Sequence, residues 1–510
     1  MNIDTFLAHH HIQENPFAAE EARLDPVFDR LLADALPHPD FPKVLGQVDQ
    51  PATAIVFGEK GSGKTALRLQ IAQHIDQHNA KHPDRRVMSV AYDDLNPMLD
   101  RLLHHRRQKA EAMLKAFRLE DHQDAILSLA VTRLVDALLD ETPSEAGSLP
   151  LPESIDKHLK KKVSRQSRVD LAILAALYDQ PRHGSAGERA ARLWHKLRLK
   201  RSFRHPMQCY GALLLSVLAA GLGIATAITS EQPSWAMPAL GLAGAGALLL
   251  WGMWGYQQLQ SWRLSRRTGR DMPTMTRPPG DLRRMLGPFA RRDLARQPLP
   301  CPGASQRGES DNRYQLTDRL LGVLKALGYV GIIVMVDRLD EPTLVSGDTE
   351  RMKAILWPMM DNKFLKQDRV GIKLLLPLEL RHMLHRESAR FFQEARLDKQ
   401  NLIDRLSWSG TMLYDLCSRR LRACVQASDG EAALTDLFEQ DVSRDLLMDA
   451  LDQMHQPRDA FKFLYNVLQE HCRIVPEDQP RFQIARLTLE SVRRDQAQRV
   501  QELYRGLAPA

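Results

Sequence analysis

The feature that most constrains this 510-residue chain is the octapeptide GEKGSGKT at residues 58–65, which fills the pattern GxxxxGK[ST] completely. A short apolar run, residues 53–57, precedes it and a stretch of helical periodicity follows, which is the strand–loop–helix context of a phosphate-binding loop. Glycines at these positions allow consecutive backbone N–H groups to surround a phosphate, and the helix adds the positive end of its dipole. We therefore expect a nucleotide to bind at the start of this helix.

This glycine-rich loop predicts individual roles. Lys64 is expected to reach the β- and γ-phosphate oxygens, and Thr65 to ligate Mg²⁺. A glycine-rich turn that matches the pattern by chance is the alternative, and the strand and helix on either side argue against it. The residues predicted to contact the nucleotide are Gly58, Glu59, Lys60, Gly61, Ser62, Gly63, Lys64, Thr65 and Ala66.

A second motif, expected to hold the metal, lies about 270 residues further along the chain. Residues 329–336 form a continuous apolar run, typical of a parallel strand buried on both faces, and Asp337 follows directly. We predict that Asp337 supports Mg²⁺ and that Asp340 or Glu341 activates the attacking water, with Glu341 favoured. The alternative for Asp340 is the N-cap of a following helix.

Two long uncharged stretches lie between these motifs. Residues 206–230 and residues 232–262 contain no Asp, Glu, Lys or Arg, and each is longer than the roughly 20 residues that cross a bilayer's hydrocarbon core as a helix. We predict transmembrane helices at about 209–230 and 235–256. The soluble alternative is a pair of helices buried in a large core or in a partner. Small residues at helical spacing, which favour close helix contact, are Ala219, Gly223 and Ala227, then Gly241 and Ala245. They would face each other or another subunit, and the alternative is that Gly and Ala are simply common in such helices.

The charge distribution supports a membrane hairpin over a nucleic-acid surface. Residues 157–313 contain 26 Lys and Arg against 9 Asp and Glu, which leaves 44 of 70 basic and 54 of 63 acidic residues for the rest of the chain. Basic residues on both flanks predict that both flanks are cytoplasmic. Anionic lipid accounts for the local basicity, so membrane lipids are expected partners and nucleic acid is not.

The order of these features predicts an α/β protein with a parallel-sheet core that is interrupted in sequence by the hairpin and followed by a helical module. The parts are an N-terminal lead (1–50), the first part of the core (51–156), a basic membrane insert (157–313), the second part of the core (314–400) and a C-terminal helical module (401–510). Further strands are expected at 86–92 and 370–377, and helices at 95–139, 349–362, 402–427, 431–453, 457–472 and 485–507.

Three arginines are candidates for contact with nucleotide phosphate. Arg369 enters the strand at 370–377 and would act across a subunit boundary, whereas Arg381 lies just beyond that strand and would act within the chain. Arg458 follows Pro457 in the first turn of a helix, where a positive side chain is unfavourable unless an anion is near. Ordinary surface positions for Arg369 and Arg381, and a neighbouring carboxylate for Arg458, are the alternatives.

With these motifs in this order, the chain resembles the KAP family of P-loop NTPases within the wider STAND class of signalling ATPases, over residues 15–472. The motifs that carry the resemblance are the glycine-rich loop, the hairpin between the two motifs, residues 334–341 (VMVDRLDE) and the helical module with Arg458, which looks like the sensor arginine of STAND and AAA+ lid domains. The resemblance implies a P-loop core of AAA+/STAND type. In KAP proteins the acidic strand commonly ends in two adjacent aspartates, whereas here Arg338 follows Asp337.

The nucleotide is expected to be ATP, because no NKxD guanine-reading sequence occurs; the nearest string is Asp361-Asn362-Lys363-Phe364. One function is an ATP-dependent switch that is anchored in a bacterial inner membrane, hydrolyses ATP slowly, forms a homo-oligomer and acts with proteins encoded nearby. Resemblance to bacterial STAND and KAP proteins implies a setting such as defence against phage. The alternative is a motor or a transport or pore component, against which the absence of ionisable residues inside the hairpin counts.

Overall fold

A computed structural model describes residues 1–32, 38–106, 109–141, 149–181, 184–200, 204–228, 236–275, 277–300, 312–425 and 432–504. The chain divides into two compact units. Unit 1 comprises Met1–Asn96 and Val330–Ala510, and unit 2 comprises Pro97–Tyr329. The second unit therefore extends further in both directions than the predicted insert at 157–313. The turn predicted between the two apolar helices, with Glu231, lies outside the described residues.

The apolar runs of unit 1 form a five-stranded parallel sheet. Its strands are β1 Ala54–Gly58, β2 Arg86–Tyr92, β3 Tyr329–Val336, β4 Val370–Pro377 and β5 Asn401–Ile403, in the order β2-β3-β4-β1-β5. Every residue of β1 and β4 is buried, as expected for strands covered on both faces. The mixed α/β class and the strands predicted at 86–92, 329–336 and 370–377 are confirmed.

The helices surround this sheet in unit 1 and form nearly all of unit 2. In chain order they are α1 Ile3–His9, α2 Pro26–Leu31, α3 Phe41–Leu45, α4 Lys64–Lys81, α5 Asn96–Arg106, α6 Ala110–Lys115, α7 Leu119–Leu139, α8 Ile155–Lys161, α9 Arg165–Tyr178, α10 Ala186–Lys196, α11 Arg204–Ile228, α12 Ala236–Asp271, α13 Pro279–Leu286, α14 Arg291–Ala295, α15 Asn312–Ala326, α16 Thr349–Leu356, α17 Asn362–Leu365, α18 Leu378–His385, α19 Ala389–Ala395, α20 Gly410–Cys424, α21 Arg444–Asp452, α22 Pro457–Ile474 and α23 Arg486–Tyr504.

Two predicted helices of the C-terminal third are wrong in part. The segment predicted as helix from 402 begins instead with β5, which pairs with β1 at the sheet edge, and α20 starts only at Gly410. The helix predicted at 431–453 is shortened to α21, because Ser443 caps it by accepting a hydrogen bond from the backbone N–H of Leu446. Both errors arise where apolar residues follow a pattern compatible with a helix but pair with other elements.

The N-terminal lead packs on the C-terminal helical module within unit 1. Phe6 of α1 and Phe463 of α22 belong to one buried apolar cluster, with α20 and α21 contributing further side chains. Arg420 of α20 forms a buried ion pair with Asp25 at 2.6 Å and donates to the carbonyl oxygen of Pro16 at 2.8 Å. These contacts hold residues 16–25 against the module.

One charged side chain lies inside the sheet of unit 1. Lys373 of β4 is fully buried, and its Nζ donates to the carbonyl oxygens of Val44, Leu45 and Ala52 at 2.6–3.0 Å. Burial lowers the pKa of Lys373 to about 8. Because an ammonium has three donors, these three acceptors satisfy it and fix the end of α3 to the sheet.

Unit 2 is a helical assembly with charged side chains in its interior. Buried Arg313 of α15 contacts Asp124 of α7 at 3.2 Å and Asp271, the last residue of α12, at 2.7 Å. The Tyr178 hydroxyl donates to the same Asp124 carboxylate at 2.8 Å. The end of the long helix α12 is therefore tied to α7 and α15 by paired charges.

The two apolar helices, α11 and α12, pack on each other and leave most of their surface uncovered. Both contain stretches long and apolar enough to cross a membrane, Met207–Thr226 and Met237–Asp271, of which only 6% and 11% of the residues are buried. The alternative of two helices buried in a core therefore does not hold within the described residues. Leucines on the outer faces, such as Leu214 and Leu249, are more than two-thirds exposed.

The contact between α11 and α12 uses small residues that differ in part from those predicted. A Cβ built on Gly246 would lie 3.2 Å from Leu215, and Gly223 lies near Leu240 as expected of a contact residue. On α12, Gly241 has no described atom within 4 Å of a built Cβ, and Ala245 is exposed, so both point away from α11. The sequence left open whether Gly241 and Ala245 face the other helix or another subunit; they do not face α11, and a contact with another subunit stays a prediction.

Candidate functional site

The glycine-rich loop at residues 58–65 joins the end of β1 to the start of α4. Gly61 and Gly63 have φ angles of 97° and 94°, a region in which other residues are strained. A Cβ on Gly58 would lie 2.4 Å from the Ser62 hydroxyl oxygen. The backbone itself therefore requires glycine at 61 and 63, whereas at 58 the close approach of the Ser62 side chain favours it.

Lys64 is the first residue of α4, and its side chain turns back over the loop. Its Nζ donates to the carbonyl oxygens of Gly58 and Glu59, both at 2.8 Å. Burial lowers the pKa of Lys64, and the carboxylates of Asp337, Asp340 and Glu379 oppose that shift. The ammonium thus lies at the centre of the loop and is surrounded by acidic groups.

The two predicted metal ligands come into direct contact. The Thr65 hydroxyl donates to Asp337 Oδ2 at 2.9 Å, although 272 positions separate them in the sequence. Asp337 directly follows β3 and is 1% exposed. Its pKa is raised by burial, and the charge of Arg68 opposes this. A buried carboxylate beside a threonine hydroxyl provides the oxygen donors that Mg²⁺ prefers.

Arg68 is a member of this cluster that the motifs did not indicate. It lies one turn after Thr65 on α4, is 6% exposed, and places Nη2 3.1 Å from Asp93 and Nε 3.5 Å from Asp337. Asp93 directly follows β2. Through these two contacts, Arg68 links the carboxyl ends of β2 and β3 to the helix that starts at the loop.

The two candidate water-activating carboxylates differ in their surroundings. Glu341 is exposed, and its carboxylate accepts a hydrogen bond from Arg338 Nε at 2.8 Å. Burial raises the pKa of Glu341, while Arg338 opposes the shift. Asp340 is half-buried, and its negative charge raises the pKa of Lys64 against the effect of burial. The N-cap alternative for Asp340 is wrong, because the next helix, α16, begins at Thr349 with Asp348 as its cap.

Arg458 lies against the glycine-rich loop. Its backbone N–H donates to the Gly61 carbonyl oxygen at 3.4 Å, and a Cβ on Gly61 would lie 2.9 Å from the Arg458 Cβ. Pro457 occupies the first position of α22, as predicted. Within the described part of unit 1, Arg458 Nε is buried and has no hydrogen-bond partner. An anion beside the loop would satisfy this donor.

A cavity extends from the loop between the N-terminal lead and the C-terminal module. It is lined by Lys60, Gly61, Gly63, Lys64, Thr65, Ala66, Asp337, Arg338, Asp340, Glu341 and Arg458 together with apolar and aromatic side chains including Phe28, Leu406, Trp408, Leu416 and Phe461. The Trp408 indole N–H donates to the Ser62 carbonyl oxygen at 2.9 Å. Polar, charged and apolar side chains thus line one cavity.

Two of the predicted arginines lie apart from this cavity. Arg369 precedes β4, so it lies at the amino edge of the sheet, opposite the loop, where its carbonyl oxygen accepts from the Ile332 N–H. The role predicted for Arg369, contact with nucleotide phosphate across a subunit boundary, stays a prediction. Arg381 of α18 contacts Asp404 at 3.6 Å, beyond the end of β5.

The residues that the motifs missed have different degrees of sequence signal. Arg68 could have been found, because it lies on the helix face that follows Thr65 and an aspartate, Asp93, ends the second predicted strand. Trp408 has no such signal, since the short strand β5 that places it was not predicted. Glu379 follows β4 in the first turn of α18, and its negative charge raises the pKa of Lys64.

Comparisons of this chain with models of protein families, with curated proteins and with solved structures found no match. The geometry of the cavity and of the two apolar helices therefore carries the functional argument.

Proposed function

We propose that this chain is a membrane-anchored P-loop protein of the KAP type within the STAND class, which binds and hydrolyses ATP and acts as a switch. The proposal joins two features: a cavity with the side chains of an ATP–Mg²⁺ site, and two helices with the length and composition of membrane spans.

The contact of Thr65 with Asp337 carries the nucleotide part of the proposal. A chance match to the loop pattern gives no reason for a buried aspartate at the end of another strand to contact the motif's threonine at 2.9 Å. In a parallel sheet, ligands bind beyond the carboxyl ends of the strands, where both residues lie.

The residues around the cavity fit ATP and Mg²⁺. Thr65 and Asp337 would hold the ion, which neutralises phosphate charge when bound. Lys64 exchanges its two carbonyl acceptors for phosphate oxygens, and the buried, unpartnered Arg458 Nε gains an acceptor. Gly61 leaves room for Arg458 to approach the loop.

The position of Arg458 supports a switch. Because α22 contacts the loop through the Arg458 N–H, a change at the phosphate end of the cavity alters the position of the helical module to which α22 belongs. Slow turnover that an effector accelerates supports this mode of action, whereas rapid constitutive turnover supports the motor or transport alternative. A homo-oligomer and proteins encoded nearby complete the proposal as its partners.

The nucleotide proposal is tested by ATP binding and hydrolysis of the full chain in neutral detergent. Lys64→Ala should abolish both, because it removes the charge at the centre of the loop. Lys81→Ala is the matched control: it removes a lysine from the exposed far end of the same helix, α4, and should retain wild-type binding. Normal ATP turnover by Lys64→Ala would refute the proposed ATPase activity.

Within this proposal, Asp340 is the water-activating carboxylate. Its charge interacts with the Lys64 ammonium in the loop, whereas the Glu341 carboxylate accepts a hydrogen bond from Arg338. Asp340→Asn should keep ATP binding and lower hydrolysis by roughly 100-fold or more, the usual contribution of a general base. Glu341→Gln should have a smaller effect. The reverse order in single-turnover assays would return the role to Glu341, which the sequence favoured.

A further inference from the structure

A basic cavity of about 700 Å³ lies in unit 2, beside the C-terminal half of α12. Arg263 and Arg267 line it from α12, and Arg291 lines it from α14. Apolar side chains also line the cavity, Leu264, Leu286 and Phe289 among them. The cavity is remote in sequence from the glycine-rich loop and plays no part in the proposed ATP chemistry.

The three arginines of this cavity lack acidic partners within the described part of unit 2. Residues 257–300 contain ten arginines and three aspartates. Each of those aspartates already contacts another arginine: Asp271 with Arg313 at 2.7 Å, Asp281 with Arg284 at 3.4 Å and Asp293 with Arg165 at 2.8 Å.

The spacing of the arginines makes this arrangement unfavourable unless an anion is present. Arg263 and Arg267 are four residues apart on one helix, so their side chains share a face, and like charges at this spacing repel each other. Arg291 adds a third positive charge to the same cavity. A bound phosphate would offset this repulsion, and guanidinium groups bind phosphate oxygens in pairs.

The position of the cavity along α12 corresponds to the membrane surface, if the apolar part of that helix spans the bilayer as proposed. Arg263 lies seven residues past Tyr256, the last residue of the predicted span, which is about 10 Å along a helix. The headgroup layer is roughly 5–8 Å thick on each side of the core, and arginine side chains extend towards it. Trp262, stacked by Arg266 at 5.0 Å, suits the same interfacial level.

We infer that this cavity binds the headgroup of an anionic phospholipid. Arg263, Arg267 and Arg291 contact the lipid phosphate, and the glycerol and first acyl carbons cover Leu264, Leu286 and Phe289. These apolar side chains favour a lipid over a free phosphate, because a free phosphate has no apolar part that could cover them. A zwitterionic choline lipid is disfavoured, because its cation would meet the same arginines. The inference rests on the membrane anchoring proposed above.

The test uses the full chain in neutral detergent without nucleotide, so its result does not depend on ATP binding. Phosphatidylglycerol and phosphatidylcholine with identical acyl chains are titrated, and the thermal midpoint and the lipid retained in native mass spectra are measured. Phosphatidylglycerol should bind roughly tenfold or more tightly than phosphatidylcholine. Flotation with vesicles of phosphatidylcholine alone tests membrane anchoring separately, so that a failure of anchoring is distinguished from a failure of lipid selectivity.

A charge-matched pair of variants separates a built site from general attraction to an anionic surface. The triple variant R263Q/R267Q/R291Q should lose the preference for phosphatidylglycerol. The control R270Q/R292Q/R296Q removes three exposed arginines of the same region that do not line the cavity, and it should keep the preference.

Equal loss in both triple variants would overturn the inference in favour of diffuse surface charge. Equal binding of the two lipids by the wild-type protein would also overturn it, and this measurement needs no variant to fold. Soluble glycerol phosphate that raises the thermal midpoint as much as phosphatidylglycerol, at the same concentration, would identify a free-phosphate site and reject the lipid.

Discussion

At the scale of single residues, Gly61 is required for two separate reasons. Its φ of 97° is rare for any side chain, and Arg458 Cβ lies 2.9 Å from where a Cβ of residue 61 would be. Gly46 shares only the first property, since its φ is 66° and no described atom lies within 4 Å of its built Cβ. The two glycines therefore separate backbone strain from the contact with Arg458.

Gly61→Ala should weaken ATP binding by roughly tenfold or more, because the new methyl group pushes Arg458 and α22 away from the loop. Gly46→Ala should cost about 1–3 kcal/mol of stability, because a φ of 66° with a ψ of −156° is adopted almost only by glycine, and should leave the affinity of the folded protein unchanged. Titration of both variants with ATP, with the folded fraction measured in parallel, gives the comparison. Equal affinities in the two variants would show that the approach of Arg458 to Gly61 has no role in binding.

The residues of the site that could be predicted are those whose roles are local. Gly58–Thr65 and Asp337 are recognisable because a phosphate loop and a strand-terminal carboxylate have fixed sequence patterns. Trp408 enters the site through a contact between elements distant in sequence, its indole N–H donating to the Ser62 carbonyl oxygen, which no local pattern encodes. Arg369 lies at the amino edge of β4, where the sequence placed it, and its predicted role across a subunit boundary remains a prediction.

At the scale of elements, α1 and α22 meet through an edge-on contact between the Phe6 ring and the His471 imidazole. The ring of Phe6 lies 4.8 Å from that of His10 and 5.3 Å from that of His471, between ring centroids. Each imidazole also contacts a backbone carbonyl oxygen, His10 that of Phe482 and His471 that of Arg481. Burial lowers the pKa of both histidines.

Acid should therefore destabilise the contact between α1 and α22. A folded-state pKa below the ordinary value of 6.5 means that the unfolded chain binds protons which the folded chain does not, so this contribution is present above pH 6.5 and is lost as pH falls. The thermal midpoint of the wild-type protein should fall between pH 7 and pH 5. It should fall less steeply in His471→Gln, whose side-chain amide can still donate to the Arg481 carbonyl oxygen. His105→Gln, at an exposed site, should follow the wild-type slope; a wild-type slope in His471→Gln would contradict this account.

The charged network between α7, α12 and α15 is the corresponding feature of unit 2. Asp124→Asn replaces the more deeply buried of the two carboxylates that contact Arg313 with a neutral amide, and we expect a loss of about 3 kcal/mol in the free energy of unfolding. Asp281→Asn removes the same charge from an exposed pair, with Asp281 49% and Arg284 84% exposed, and should cost under about 0.5 kcal/mol. Denaturant unfolding of both variants measures the difference, and equal losses would show that burial of the network is unimportant.

Long apolar elements were predictable and short ones were not. β3 begins and ends where its apolar run does, because a strand buried on both faces contains few polar residues, and β4 follows the same rule with Lys373 as its exception. The three residues of β5 carry no such signal; they form a strand because the edge of β1 offers free backbone groups. The face of α12 that meets α11 was also unpredictable, since small residues occur all around that helix.

At the scale of the whole molecule, two apolar helices distinguish this chain from an ordinary soluble α/β protein. The uncovered faces of α11 and α12 present leucines and valines to their surroundings, with Leu214 at 68% and Leu249 at 69% exposure. Side chains this apolar and this exposed are typical of a membrane-embedded surface or of an interaction site. The absence of Asp, Glu, Lys and Arg from residues 207–226 and 237–256 favours the bilayer.

The protein should fractionate with membranes and resist extraction by high salt, because apolar burial and not lipid charge holds it. Replacing Leu214 and Leu249 with arginine should cost about 3 kcal/mol of insertion free energy at each site and shift the protein out of the membrane fraction. Neither leucine is at the contact between α11 and α12 described above, so the effect reports insertion more than packing. Leu487→Arg, at a leucine of unit 1 that is 83% exposed, is the matched control and should leave fractionation unchanged. Release of the wild-type protein by salt alone would refute the spanning hairpin and leave α11 and α12 as an apolar surface for another protein.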